Sequence, residues 1–151
     1  MNKSGIDMGI KAVIDTNVLV SSFISKNPNS PTVRIIKAIA EGIFTPVYSD
    51  DILCEYEDVL GRGHFKFNPE AISILINRIK EIGEAVSPVA SEEDFPDPDD
   101  KVFFCTALAG DAQLVTGNAK HYPSADFVVT PSQFCEIAGI LSHRLKNFRV
   151  K

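Results

Sequence analysis

Asp15 interrupts the apolar run of "KAVIDTNVLV", a place where a carboxylate loses its hydration unless something pairs with it. Four more aspartates crowd into the seven positions from Asp94 to Asp100, in "DFPDPDD", directly before the apolar "KVFFCTALAG". At about 5 Å and an effective dielectric of about 20, each such pair repels by on the order of 3 kcal/mol. The preference of aspartate for turns and first helical turns explains part of the run. A bound cation would explain all of it. Asn118, in "LVTGNAKHYP", closes a second apolar run as Asp15 closes the first. "SDDILCEYEDVL" adds Glu55, Glu57 and Asp58. On a helical wheel Ile52, Leu53, Tyr56, Val59 and Leu60 share one face and Asp58 stands nearly opposite. Glu55 and Glu57 flank that apolar face on either side, so the wheel admits both.

The donors on offer are oxygens. His64, His121 and His143 are scattered, and Cys54, Cys105 and Cys135 lack the spacing of a zinc site. The three cysteines read as reduced, buried small hydrophobes. No Ser/His/Asp or Cys/His arrangement declares itself, and Gly61 and Gly63 in "GRGHF" lack the strand-then-helix context of a phosphate loop. What remains is an all-oxygen, multi-carboxylate set, which suits Mg²⁺ or Mn²⁺, hard ions that keep several waters and bridge to phosphate oxygens.

Such a site needs elements that bring Asp15, the acids of residues 55–58, Asp97, Asp99, Asp100 and Asn118 together. "KAVIDTNVLV" has the β-branched continuity of a buried strand. "NSPTVRIIKAIAEG" carries Ser30 as N-cap, Pro31 at the first helical position and Gly42 as the stop. "IFTPVY" predicts a second strand, and Ser49 caps the helix that ends at Gly61. Asn68, Pro69 and Gly83 bound another helix, striped by Ile72, Leu75, Ile76 and Ile79. "EAVSPV" is a weak strand candidate, and a helix is expected from about Asp99 to Ala109, closed by Gly110. "AQLVTG" and "DFVVT" predict two more strands, and Thr130 to Gln133 is a capping box opening a last helix. Strands alternating with helices predict a mainly parallel sheet covered on both faces, an α/β/α sandwich. Ligands of such sheets bind beyond the carboxyl ends of the strands.

The totals bound the reading. One domain is expected from 151 residues, and a net charge of −5 argues against a broad basic face for duplex DNA, though not against nucleic acid, since acids clustered at one site can dominate the sum. Residues 1–10 carry no pattern and read as an extension, with Met8 offering a second start; residues 11–141 form the domain. Residues 142–151 form a basic tail bearing Arg144, Lys146, Arg149 and Lys151. No apolar run approaches the roughly 18 residues of a membrane span, so the expected location is the cytoplasm, with no membrane partner.

In this order, "VIDTNVLVSSF", "SDDILCEYEDVL", "DPDDKVFFCTALAG", "QLVTGNAKHYP" and "VVTPSQF" resemble the PIN domain (PilT N-terminal) nucleases. The likeness runs from about Lys11 to Ile140, and the nearest pattern is that of small bacterial toxin–antitoxin toxins similar to VapC. The resemblance puts the family's first acid on Asp15, its second on Glu55 in preference to Glu57, and its third on Asp100. Asp97 and Asp99 then belong to the D-P-D-D form of the third motif. The fourth acid falls on Asn118, a departure, because an amide offers a cation only its carbonyl; Asp97 is the candidate to supply the missing charge.

The resemblance implies metal-dependent endonucleolytic cleavage of single-stranded RNA, with Asp15, Glu55 and Asp100 catalytic. Together with Asp97 and Asn118 they would hold one or two Mg²⁺ or Mn²⁺ ions, which activate water and neutralise charge on the phosphate. Lys101, Lys120 and Arg62 are candidates to touch the RNA backbone. It further implies an antitoxin protein as partner and a homodimer. The binding-class alternative is a degenerate PIN domain that holds RNA or a protein without cutting, and Asn118 speaks for it. A haloacid-dehalogenase-like phosphatase would want an aspartate at Asn17, two residues after Asp15. A receiver domain would want an acidic pair after the first strand and an acceptor aspartate at the third, which "DTN" and "VSPVA" do not provide.

Overall fold

Ala12, Val13 and Ile14 are all buried in β1 (Lys11–Ile14), the middle strand of the sheet. A strand covered on both faces has no polar side, hence its unbroken apolar run. β1 pairs in parallel with β2 (Thr45–Tyr48) on one side and β4 (Gln113–Val115) on the other, in the registers Lys11↔Thr45 and Val13↔Leu114. β3 (Glu84–Ala85) joins β2 and β5 (Val128–Val129) joins β4, again in parallel. The five-stranded sheet therefore runs β3-β2-β1-β4-β5. The computed structural model describes residues 9–91, 95 and 97–140 of the chain.

Among the described residues six α-helices cover the sheet. α1 (Thr16–Ile24) and α2 (Pro31–Glu41) connect β1 to β2; α3 (Asp50–Leu60) and α4 (Pro69–Ile82) connect β2 to β3. α5 (Pro98–Gly110) leads into β4, and α6 (Pro131–Ala138) follows β5. α5 packs on β1, β2 and β4, while α2 packs on α1, α4 and α6. The right-handed rule for parallel crossovers puts these groups on opposite faces, because the chain leaves β1 in one direction and returns past it in the other. The predicted α/β/α sandwich is the observed one, with a sheet that is parallel throughout.

The caps are as read. Ser30, Ser49 and Asn68 accept the expected backbone N–H bonds, and Thr130 and Gln133 close a reciprocal capping box. Two elements differ. β1 ends at Ile14, and "TNVLV", read with the strand, is the first part of α1. Its Val18 and Leu19 are fully buried, and that burial outweighs the small helix cost of β-branched residues. Gly110 lies inside α5 rather than after it, and Asp111 takes the left-handed C-cap at φ 52°. A Cβ on Gly110 would meet Val47 Cγ1 at 2.7 Å, so this glycine serves close helix–sheet packing, not chain reversal. Cys105 and Cys135 are buried as expected, but Cys54 is exposed.

No helix among the described residues is long and apolar enough to cross a membrane. The proposed extension (residues 1–10, with Met8) and the basic tail (142–151) lie almost wholly outside the described residues, as does Asp94.

Candidate active site

The chain passes from β1 to β2 to β3 in one direction and from β4 to β5 in the other, so the direction switches between β1 and β4. At such a switch the strand ends open a crevice. Asp15 leaves β1 there, with its N–H donating to Val115 O at 2.9 Å, and Thr116 leaves β4 beside it. Asp15 is the N-cap residue of α1, yet its side chain makes no capping bond. Only 6% exposed, its Oδ2 instead accepts from Thr116 Oγ1 at 2.8 Å and from the Tyr122 hydroxyl at 2.9 Å. Two donors on one oxygen fix the carboxylate's orientation and leave Oδ1 without a hydrogen-bond partner among the described residues.

Glu55 is brought in by its neighbour. The buried Tyr56 hydroxyl donates to Ile14 O at 2.6 Å, pinning α3 to the end of β1. Glu55 is then half-buried, and its Oε2 accepts from Thr16 Oγ1 at 3.4 Å. Glu57 faces solvent on the other flank. α5 delivers the rest: Asp97 Oδ1 caps it by accepting from Asp99 N at 3.0 Å, and Asp100 follows, half-buried. Phe95 stacks edge-on against Phe104 and Tyr122, which anchors the approach to these aspartates. Asn118 is exposed; its backbone N–H donates to Thr116 Oγ1 at 3.0 Å, one hydrogen bond removed from Asp15. Asn17 spans the same edge, accepting from Gly117 N at 3.0 Å.

The electrostatics bind these acids into one cluster. Burial holds the Glu55 carboxyl above its ordinary range, with the charges of Asp99 and Asp15 adding to it and Thr16 and Arg62 opposing. Burial likewise raises Asp100, helped by Asp15, Asp97 and Asp99 and opposed by His121. Tyr122 stays a neutral phenol far above its usual range, first by burial and then by the charges of Asp15 and Asp100 flanking it. Among the described residues no three His, Cys, Asp or Glu side chains converge closely enough to enclose an ion by themselves. Mg²⁺ does not ask for that, since it retains several waters and takes one or two carboxylates. Hard oxygen donors carrying excess negative charge fit such an ion.

A pH dependence follows. A carboxyl whose folded pKa exceeds its unfolded value favours the fold while protonated, and that advantage is lost as pH rises from the unfolded value, 4.5 for Glu55, through the folded one. Under chelation, Glu55→Gln should therefore become increasingly more stable than the parent as pH rises above about 4.5. Urea unfolding at several pH values measures it; a gap that shrinks with rising pH would refute the upward shift of the Glu55 carboxyl.

Asp15, Glu55, Asp97 and Asp100 thus meet at one edge. Thr116, Tyr56 and Tyr122, which orient them, were not singled out as site residues in the sequence, and only the closeness of Thr116 to Asn118 hinted at any of them. No curated protein matches the chain. The sequence model of one family, described as the PIN domain, matches residues 11–120, from the first residue of β1 to just past Asn118. PIN domains are generally nucleases, typically with divalent metals. With the match covering most of the chain and the sheet and helices in the order that family resemblance implied, the chain belongs to the PIN domain family.

Proposed function

We propose that this chain is a divalent-metal-dependent endoribonuclease that cleaves single-stranded RNA, acting as the toxin of a toxin–antitoxin pair in the cytoplasm. The observation that carries the reading is that Glu55 and Asp100, both raised first by burial, each also feel the charge of Asp15 at the switch point, an unfavourable arrangement that a cation relieves. Asp15, Glu55 and Asp100 would hold Mg²⁺ or Mn²⁺, with Asp97 and Asn118 beside them. When bound, the ion supplies a nucleophile at neutral pH and stabilises charge on the phosphate. The chain's own residues do the positioning: Thr116 and Tyr122 hold Asp15 in one orientation, and Thr16 holds Glu55. His121 opposes the rise of the Asp100 carboxyl and so offsets part of the negative field that an incoming phosphate would meet.

The test is incubation of the full chain with end-labelled single-stranded RNA. Fragments are expected with Mg²⁺ or Mn²⁺ and none with EDTA, and the same ions should raise Tm by mass action. A raised Tm without fragments would favour the non-cutting binder, for which Asn118 in place of an acid is the supporting observation. Neither effect would remove the metal reading. Growth arrest on induction, relieved by a co-expressed neighbouring frame, tests the toxin role and the antitoxin together.

A further inference from the structure

The segment "GRGHFKF", residues 61–67 between α3 and α4, contributes no acid to the cluster, and its composition is unlike the rest of an acidic chain. It holds Arg62, Lys66 and the His64 imidazole with no acid, against a net charge of −5 overall. Its rings form a continuous run of contacts, with one parallel stacked pair at its centre and tilted pairs on either side. His64 and Phe65 have centroids 4.3 Å apart, Phe65 and Phe67 4.8 Å apart at 3° between planes, and Phe67 and Phe23 of α1 5.0 Å apart. Phe23 and Phe67 pack against the core, which gives the stack a rigid base. Phe65 is only half-buried and stands outside that core, with His64 exposed beyond it.

Lys66 sits between the two phenylalanines at φ 57°, a left-handed conformation that a non-glycine residue adopts only at a cost. That turn of the chain accompanies the parallel alignment of Phe65 and Phe67, which local backbone preference alone would not produce. The stack also shares a surface with the acids. Arg62 pairs with Asp58 at 3.0 Å in an exposed bridge, and its charge reaches Glu55, whose carboxyl it stabilises in the ionised form. Lys66 and His64 have no carboxylate partner among the described residues.

We propose that residues 62–67, backed by Phe23, are a stacking platform that seats a nucleobase of single-stranded RNA next to the scissile phosphate, with Arg62 and Lys66 on the backbone. This rests on the nuclease reading of the neighbouring acids. Sequence-independent binders of single strands combine cations that follow the backbone with aromatic faces that take bases, since every base has a π-face. A polyanion approaching a carboxylate cluster needs such an anchor close by. Charge complementarity and continuity with the acids favour RNA over a protein or a second copy as the occupant.

The chain has no tryptophan, so Phe65→Trp introduces a single reporter at the platform. With metal chelated, a fluorescein-free oligouridylate of roughly ten nucleotides should quench that tryptophan as it binds. A backbone of the same length without bases should not, nor should Ile74→Trp, on the exposed side of α4, respond to the RNA. Phe65→Ala should weaken binding of the labelled RNA about tenfold by anisotropy. If the parent cleaves RNA while Phe65→Ala binds it equally and Phe65→Trp is not quenched, the platform is overturned and the nuclease reading stands. Quenching with no cleavage under Mn²⁺ supports the platform and removes the nuclease reading. Absence of any RNA affinity in the parent overturns both. Quenching that tracks protein concentration instead of RNA overturns the platform in favour of an interface between copies.

Discussion

Glu55→Gln is expected to lower metal-dependent cleavage of single-stranded RNA by at least about a hundredfold, on the order of 2.7 kcal/mol of transition-state stabilisation. Glu57→Gln should stay within a few-fold. The two glutamates are near neighbours in the chain and equivalent on a helical wheel, so the contrast depends wholly on tertiary placement. Tyr56 ties α3 to Ile14 O and thereby turns Glu55 toward Asp15 and Thr16, leaving Glu57 in solvent. Glutamine keeps the size and the acceptor for Thr16 but removes the charge, so an activity loss without loss of folding isolates the electrostatic role. Initial rates over a range of Mn²⁺ concentrations, with circular dichroism as the folding control, make the comparison. Equal losses from both variants, or the reverse order, would remove the assignment of Glu55 as the second acid.

Asn118→Asp should tighten Mn²⁺ binding by about tenfold or more. A carboxylate about 4 Å from a divalent ion adds attraction on the order of 8 kcal/mol at an effective dielectric of about 20, before desolvation and repulsion from the other acids. Even a sixth of that survives as a tenfold change, since about 1.4 kcal/mol corresponds to one decade. Asn118 is exposed and forms no side-chain cap on the short 3-10 turn that it opens, so the replacement disturbs no described hydrogen bond of its side chain. Calorimetric titration of both proteins reads affinity and stoichiometry directly. Unchanged values would put residue 118 outside the metal's reach and point to Asp97, whose second oxygen is not used in capping α5.

Cap chemistry is local, which is why Ser30, Ser49, Asn68 and Thr130 could be read from the chain and recur as helix starts in the fold. α1 could not be read that way. "TNVLVSSFI" is apolar on most sides and rich in β-branched residues, and only its burial against α2 and α3 makes it helical. Gly110 misled for the same reason, because the atom that demands a glycine there is Val47 Cγ1, in β2. At the candidate site the acids were visible by type, since charge beside an apolar run is conspicuous. The groups that orient them were not. Thr116 and Tyr122 reach Asp15 from 101 and 107 positions away, a relation no local pattern carries.

The double hydroxyl grip on Asp15 Oδ2 bears on discrimination between the cell's hard cations. A carboxylate so held presents a single oxygen to an ion. Ca²⁺ gathers about six to eight oxygens at roughly 2.3–2.6 Å and readily takes both oxygens of one carboxylate, whereas Mg²⁺ wants six ligands at roughly 2.0–2.1 Å and fills the remainder with water. An alcohol and a phenol that touch no reacting atom would thus bias the crevice against calcium, by denying it the second oxygen that its larger coordination sphere would use.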